Sequence, residues 1–239
     1  MSEFHLYAII VFIFGTVFGS FLNVVIYRVP RGENIAYPPS ACPQCNTQIK
    51  AKHNIPVLSW FMLKGKCAYC GTSINKKYPI VEFISGVIAL VIYLKVGEVW
   101  YVPSIIVFFL LLFALAIIDA SEKKNQIPIY LSLALYIFGA ISPYGIKNMI
   151  WAFLISLTLY SIKQKSIRKE DILTIGATVL VLGVVNAICM LLFLMAISYI
   201  PYSVWEEKEY REQNTFALTP YIFGATIIFY ILDCYRFPL

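Results

Sequence analysis

The sequence predicts an all-α integral membrane protein of seven or eight transmembrane helices, with a small cytoplasmic zinc-binding lobe after the first helix. Three observations carry that prediction. Of 239 residues, 60% are hydrophobic and only 13% charged, about half the charged share of an ordinary soluble domain. Apolar windows near the roughly 20 residues that cross bilayer hydrocarbon as a helix recur along the chain. The one long polar stretch holds two cysteine pairs, Cys42-Pro-Gln-Cys45 and Cys67-Ala-Tyr-Cys70.

The first window runs from Leu6 to Ile26. It lacks a basic leading region and a small-residue cleavage site before Tyr27-Arg28, so it reads as a retained anchor rather than a signal peptide. Residues 1–27 form this first helix, residues 28–78 the lobe, and residues 79–239 a multi-helix membrane domain. Between Arg28 and Tyr78 stand eight Lys or Arg residues and a single acid, Glu33. Such a bias places the segment on the cytoplasmic side. Two C-x2-C pairs separated by 21 residues supply four thiolates, Cys42, Cys45, Cys67 and Cys70, to one tetrahedral zinc; reduced or metal-bound cysteines also favour the cytosol. His53 reads as a solvated loop residue, because four thiolates already close a structural zinc shell. A lobe this short has little core of its own and needs the metal to hold its shape.

Further spans are expected over Pro79 to Leu94, Pro103 to Ile118, Pro128 to Ile141 and Met149 to Ile162. The connections alternate in charge: Lys123 and Lys124 inside, little charge around Val96 to Val102, then Lys163, Lys165, Arg168 and Lys169 inside. The stretch Ile172 to Ile200 is 29 residues long with Gly183 and Asn186 near its middle, so it is one long tilted helix or two short ones. A single crossing there puts the acidic loop of Glu206, Glu207, Glu209 and Glu212 outside and Arg236 inside. The last span is Leu218 to Tyr235. Cys189 and Cys234 lie in apolar spans and read as small hydrophobes. The chain shows no repeat of fixed period and no Gly-rich Rossmann signature. Membrane topology accounts for its basic loops, and nothing points to nucleic acid.

The informative side chains are acids at membrane boundaries. Asp119 closes one apolar span and Asp171 opens another, both on the expected cytoplasmic side. Two carboxyls close together in a low-dielectric setting share a proton, which suits peptide hydrolysis: one takes a proton from water while the other protonates or polarises the carbonyl oxygen. Taken singly, Asp119 also fits a helix end facing water, and Asp171 a helix cap or first-turn acid. Glu82, just inside the span after Tyr78-Pro79, either binds a polar substrate group or accepts bonds near a helix N-terminus. Asp233 reads as an ordinary helix-end acid.

Several segments in order carry a resemblance to a known family. They are Gly19-Ser-Phe-Leu-Asn23-Val-Val-Ile-Tyr-Arg28-Val-Pro30, Cys42-Pro-Gln-Cys45, Asn54-Ile-Pro56-Val-Leu-Ser59-Trp60, Gly65-Lys-Cys67-Ala-Tyr-Cys70 and Tyr78-Pro79-Ile-Val-Glu82-Phe-Ile-Ser-Gly86. More loosely, Ile118-Asp119 with Ile127-Pro128, Asp171, and Leu218-Thr-Pro220-Tyr-Ile-Phe-Gly224 keep the same order. Together they resemble the type IV prepilin peptidases, bifunctional membrane enzymes of pilus and type II secretion systems. The resemblance implies an aspartic endopeptidase with Asp119 and Asp171 as catalytic pair and Glu82 facing a substrate charge. It would remove the basic leader of a prepilin or pseudopilin at the cytoplasmic face of the bacterial inner membrane. It also implies methylation of the new N-terminal amine from S-adenosylmethionine, although no motif marks the residues of a methyl-donor pocket.

One departure is plain. Arg168-Lys169-Glu170-Asp171 stands where the family has Gly-x-Gly-Asp, and the lysine two positions beyond is absent. Glycine allows backbone angles and close approaches that Arg168 and Glu170 do not. A second reading therefore stays open: a relative that keeps the zinc lobe and methyl transfer, or a binding role, without proteolysis. A third is a scaffold or transporter whose paired acids carry ions. Glu122 and Glu170 are the next candidates should either aspartate prove dispensable.

Overall fold

The computed structural model describes residues 3–121, 129–142, 145–161, 169–183, 185–192, 194 and 218–232. Glu122, Lys123, Lys124, Ile127, Pro128, Lys163, Lys165, Arg168, the four acids from Glu206 to Glu212, Asp233, Cys234 and Arg236 lie outside them. Among the described residues every regular element is helical, and the only β structure is two isolated bridges, Ala41 to Gln48 and Lys66 to Ser73. The helices are α1 (Glu3–Arg28), α2 (Leu58–Met62), α3 (Lys77–Val96), α4 (Val102–Ser121), α5 (Ile129–Ala140), α6 (Gly145–Ser161), α7 (Lys169–Leu182), α8 (185–192) and α9 (Thr219–Leu232). They fall into two compact units, Met1–Glu98 and Val99–Leu239.

Among the described residues, three helical segments are long and apolar enough to cross a membrane: Glu3–Arg31, Lys77–Val96 and Val102–Ala120, with mean hydropathies of 2.4, 2.0 and 2.6. Tyr130–Ala140 and Thr219–Leu232 are apolar but shorter. Outward faces agree with a lipid solvent: Ile9, Ile13 and Val17 on α1 and Ile80, Phe83 and Val87 on α3 are exposed. A run of this kind would be an aggregation hazard in water.

In the first unit α1 and α3 approach until their backbones nearly touch. A Cβ on Gly15 would stand 2.7 Å from the Cβ of Ala89 and 2.8 Å from the carbonyl oxygen of Ser85; one on Gly19 would stand 2.7 Å from the Cβ of Ser85. Lipid tails give apolar helices no hydrophobic reason to pair, so small residues that permit close dispersion contact take that role. Leu22, Ile88 and Ile92 complete the buried seam.

In the second unit α7 is the central helix. Residues Asp171, Ile172 and Thr174 to Leu182 are all buried, as expected for a helix packed on several sides. Its packing partners are α5, α6 and α9, while α4 packs on α5 and α9. Polar pairs pin α7 in place. Ser132 and Thr174 hydroxyls lie 3.4 Å apart, and the Ser142 hydroxyl donates to the Leu180 carbonyl at 2.9 Å. Tyr136 and Ser156 hydroxyls pair at 2.9 Å, directly over Gly176, where any Cβ would collide with both. Aromatic contacts join α4 to α9: Phe109 to Tyr230 at 4.9 Å and Phe113 to Phe223 at 5.4 Å between ring centres. Among the described residues, the stretch from Ile172 onward is interrupted at Gly183. α7 ends at Leu182, and Gly183 takes φ 76°, a left-handed value that suits glycine.

Candidate active site and metal lobe

The lobe is built from one small unit used twice. In the first copy Cys42 N–H donates to the Thr47 carbonyl, Asn46 N–H to the Cys42 carbonyl, and Ile49 N–H to the Ser40 carbonyl. In the second, Cys67 N–H donates to Thr72, Gly71 N–H to Cys67, and Ile74 N–H to Gly65. Corresponding residues are 25 positions apart. The positive φ after each second cysteine falls on Asn46 (53°) and Gly71 (71°), two residue types that tolerate it. This short repeat corrects the expectation of none.

The two knuckles bring all four Sγ atoms of Cys42, Cys45, Cys67 and Cys70 within 4.8 Å of one another, and those of Cys42 and Cys70 to 3.9 Å. Four thiolates around a tetrahedral zinc at ~2.3 Å would sit about 3.8 Å apart, far wider than a disulfide. The donor set and spacing therefore fit a metal. The thiols hold their protons unequally. Hydrogen bonds from the Thr47 hydroxyl and then its backbone lower Cys45 to about 6, and backbone N–H groups of Cys70 and Tyr69 lower Cys67. At Cys70 the backbone N–H of Thr72 pulls down, but desolvation together with hydrogen bonds to the Cys45, Cys67 and Cys42 thiols outweighs it and raises the group to about 11. His53 stands outside the cluster; it is half-buried rather than solvated, its ring 5.8 Å from that of Tyr69.

Several residues of the N-terminal signatures act as ties. Arg28 donates to the carbonyls of Asn34 and Pro38 at 2.9 and 2.7 Å, fixing the chain as it leaves α1. Asn23 donates to the Tyr78 carbonyl at 3.1 Å. The Trp60 indole N–H reaches the Ile74 carbonyl at 3.3 Å and its ring covers Gly65, which sits at φ 68°. Glu82 is half-buried on α3, and its Oε2 accepts the Val57 N–H at 2.7 Å.

That N–H belongs to an unusual turn. Val57 has φ 63° and ψ −54°, and the next amide, Leu58 N–H, donates to the Pro56 carbonyl at 2.6 Å. A three-residue turn with a positive central φ is rare, and a β-branched residue there is strained. The Glu82 carboxylate is thus already engaged in holding a strained loop.

In the second unit the two aspartates are inside the protein: Asp119 is 6% exposed near the C-terminus of α4 and Asp171 1% exposed in the first turn of α7. Both reach one residue on a third helix. Thr219, 0% exposed at the head of α9, donates its backbone N–H to Asp119 Oδ2 at 3.1 Å and its hydroxyl to Asp171 Oδ1 at 3.3 Å. Two hydrogen bonds and the breadth of one threonine limit the separation of these carboxylate oxygens to about 10 Å.

The start of α9 explains why the backbone N–H is available. A helix leaves its first donors without internal partners. Here Tyr221 and Ile222 N–H both turn to the Leu218 carbonyl at 3.1 Å, Pro220 has no N–H to satisfy, and Thr219 N–H goes to Asp119. Sequence reasoning missed Thr219. The available signal, a threonine before proline at the head of an apolar span, indicates a helix start and not a tertiary partner. Beside Asp171, Lys169 is exposed and Glu170 half-buried. No residue is assigned to a methyl donor.

Residues 13–96 match the Bacterial Peptidase A24 N-terminal domain. The chain is 40% identical over 114 residues to a protein of Myxococcus xanthus (strain DK1622) named "Prepilin leader peptidase/N-methyltransferase", covering 48% of this chain and 34% of that one. A protein of the same name from Neisseria gonorrhoeae is 33% identical over 153 residues, 54% of this chain and 53% of that one. One from Aeromonas hydrophila is 33% identical over 189 residues, 62% and 65%. The chain thus spans between a third and two thirds of these curated relatives. No solved structure matches.

Proposed function

The chain is a relative of the prepilin leader peptidase/N-methyltransferases, and from that premise we propose that it is an aspartic endopeptidase of the bacterial inner membrane that removes prepilin or pseudopilin leaders. The observation that supports this most is the meeting of Asp119 and Asp171 at Thr219. Burying two carboxylates is costly unless both are held by donors, and helix packing alone gives no reason to bring them to one point.

In the reading, a substrate anchored by its own apolar helix presents its scissile peptide at the cytoplasmic membrane surface. One aspartate takes a proton from the attacking water; the other delivers or shares a proton with the carbonyl oxygen as the tetrahedral intermediate forms. The chain would cross the membrane seven or eight times, surrounded by lipid. Glu82 enters as a substrate-binding group, one of its oxygens held by Val57. The four cysteines would hold a structural zinc, which four protein ligands leave without an open position for chemistry. The second activity is methylation of the new N-terminal amine, with S-adenosylmethionine as donor.

The test is incubation of the full chain in detergent with a prepilin, with and without S-adenosylmethionine, beside Asp119→Ala and Asp171→Ala. Cleavage by the parent and none by either variant is expected. Cleavage surviving in either variant would overturn the assignment, and methylation of a pre-cleaved pilin by a protein that cuts nothing would establish the non-proteolytic relative instead.

A further inference from the structure

We propose that Thr219 is the positioning residue of the aspartate pair: its hydroxyl orients Asp171, its backbone N–H orients Asp119, and the head of α9 thereby sets the mutual geometry of the two carboxylates. The inference rests on the peptidase reading above and adds to it a residue that touches neither water nor scissile bond in the reaction.

The argument starts from reach. Asp119 stands near the end of α4 and Asp171 in the first turn of α7, and each carboxylate has two side-chain torsions to settle. A pair that must hold one water and one peptide between them needs both fixed to within about half an ångström. Thr219 contacts both through different atoms, and the two contacts do not compete. It is itself immobile, fully buried, with α9 locked to α4 through Phe109–Tyr230 and Phe113–Phe223. The far side is fixed as well, because α7 is pinned to α5 by Ser132–Thr174 and to the turn after α5 by Ser142–Leu180. The threonine also bears on the departure at residues 168–170: where glycines would shape the backbone before the second aspartate, a hydroxyl from another helix holds this aspartate's side chain.

The two contacts separate by mutation. Thr219→Val keeps shape, β-branching and the backbone N–H to Asp119 while removing the donor to Asp171; Thr219→Ser keeps the donor. With prepilin as substrate, Thr219→Val should lower kcat about ten- to a hundredfold with KM within about twofold, and Thr219→Ser should restore kcat to within a few-fold of the parent. Parent-like kcat in Thr219→Val, or equal impairment in the two variants, would overturn the proposal. Should Thr219→Val not yield folded protein, the comparison passes to Thr219→Ala against Thr219→Ser under the same criteria.

A second readout does not need activity. In infrared spectra at one pH, the carboxylate or carboxyl band that vanishes in Asp171→Asn should shift in Thr219→Val and return in Thr219→Ser; an unmoved band sinks the hydrogen bond. A parent protein that leaves prepilin uncut would refute the peptidase reading, while the infrared result still decides whether Thr219 holds Asp171.

Discussion

The metal lobe and the aspartate site differ in how far apart in sequence their parts lie. The lobe draws its four sulfurs from two local turns, each closed by backbone hydrogen bonds between residues no more than nine positions apart. The aspartate site draws on three helices, and its two defining bonds join residues 100 and 48 positions apart. A local turn fixes its geometry wherever it is placed, so a cysteine spacing can be read directly as a metal site. A pair assembled over such distances exists only when the whole second unit packs correctly. The first should therefore fail by losing its ligand set, the second by losing alignment.

The largest expected effect lies in the lobe. Cys67→Ser removes one of four ligands and, with it, a thiol whose proton affinity is lowered by the backbone N–H groups of Cys70 and Tyr69. Bound zinc should fall from about one per chain to near none, read by metal analysis of purified protein, and limited proteolysis should then cut between the two knuckles. Undiminished zinc would mean that the cluster is not the metal site.

Next come the isosteric changes Asp119→Asn and Asp171→Asn. Each keeps size and much of the hydrogen bonding to Thr219 but removes a proton-transfer group, so prepilin cleavage should drop about 10²–10⁴-fold. Zinc content and thermal unfolding temperature should change little. A variant that loses zinc along with cleavage would show that the two regions are not separable in the way their construction suggests.

These contrasts account for what could be read in advance. The helix positions follow from apolar length, and the start of α3 at Lys77 against an expected Pro79 is an ordinary end effect. The cysteine cluster follows from spacing. What could not be read is tertiary. Nothing local to Leu218-Thr219-Pro220 says that a carboxylate 100 residues earlier will accept its N–H. The knuckle repeat escaped because few positions are identical: Cys42, Cys45, Thr47 and Ile49 recur as Cys67, Cys70, Thr72 and Ile74, while Asn46 and Gly71 are equivalent only as backbone. Hydropathy also did not say where the stretch after Ile172 breaks; among the described residues the helix ends at Leu182, where Gly183 takes a left-handed backbone angle.

A smaller effect is expected where α1 meets α3. Gly15→Val would push a branched side chain into backbone and Cβ atoms under 3 Å away, and neither helix can yield without parting the seam. A cost of about 1–3 kcal/mol is expected, seen as a lower unfolding temperature in detergent. Since Gly15 is in the first unit, the kcat of prepilin cleavage in the folded fraction should be close to the parent's. A large fall in kcat at unchanged stability would contradict the separation drawn above.

The smallest effect tests the strain at the edge of the lobe. Val57 occupies φ 63° and ψ −54°, a conformation that costs a branched residue roughly 1–3 kcal/mol. Glycine adopts it freely, yet gives back about 0.4–1 kcal/mol through its more disordered unfolded chain and loses the partial burial of the valine side chain. The terms nearly cancel, so Val57→Gly should raise stability by less than about 1 kcal/mol. The N–H to Glu82 is kept in the variant, because glycine donates from the same backbone atom. Glu82→Ala takes that acceptor away. If strain is what the carboxylate restrains, Glu82→Ala should destabilise the parent more than it destabilises Val57→Gly, a difference measurable by thermal unfolding of the four proteins. Equal losses in the two backgrounds would show that the turn stands without its latch.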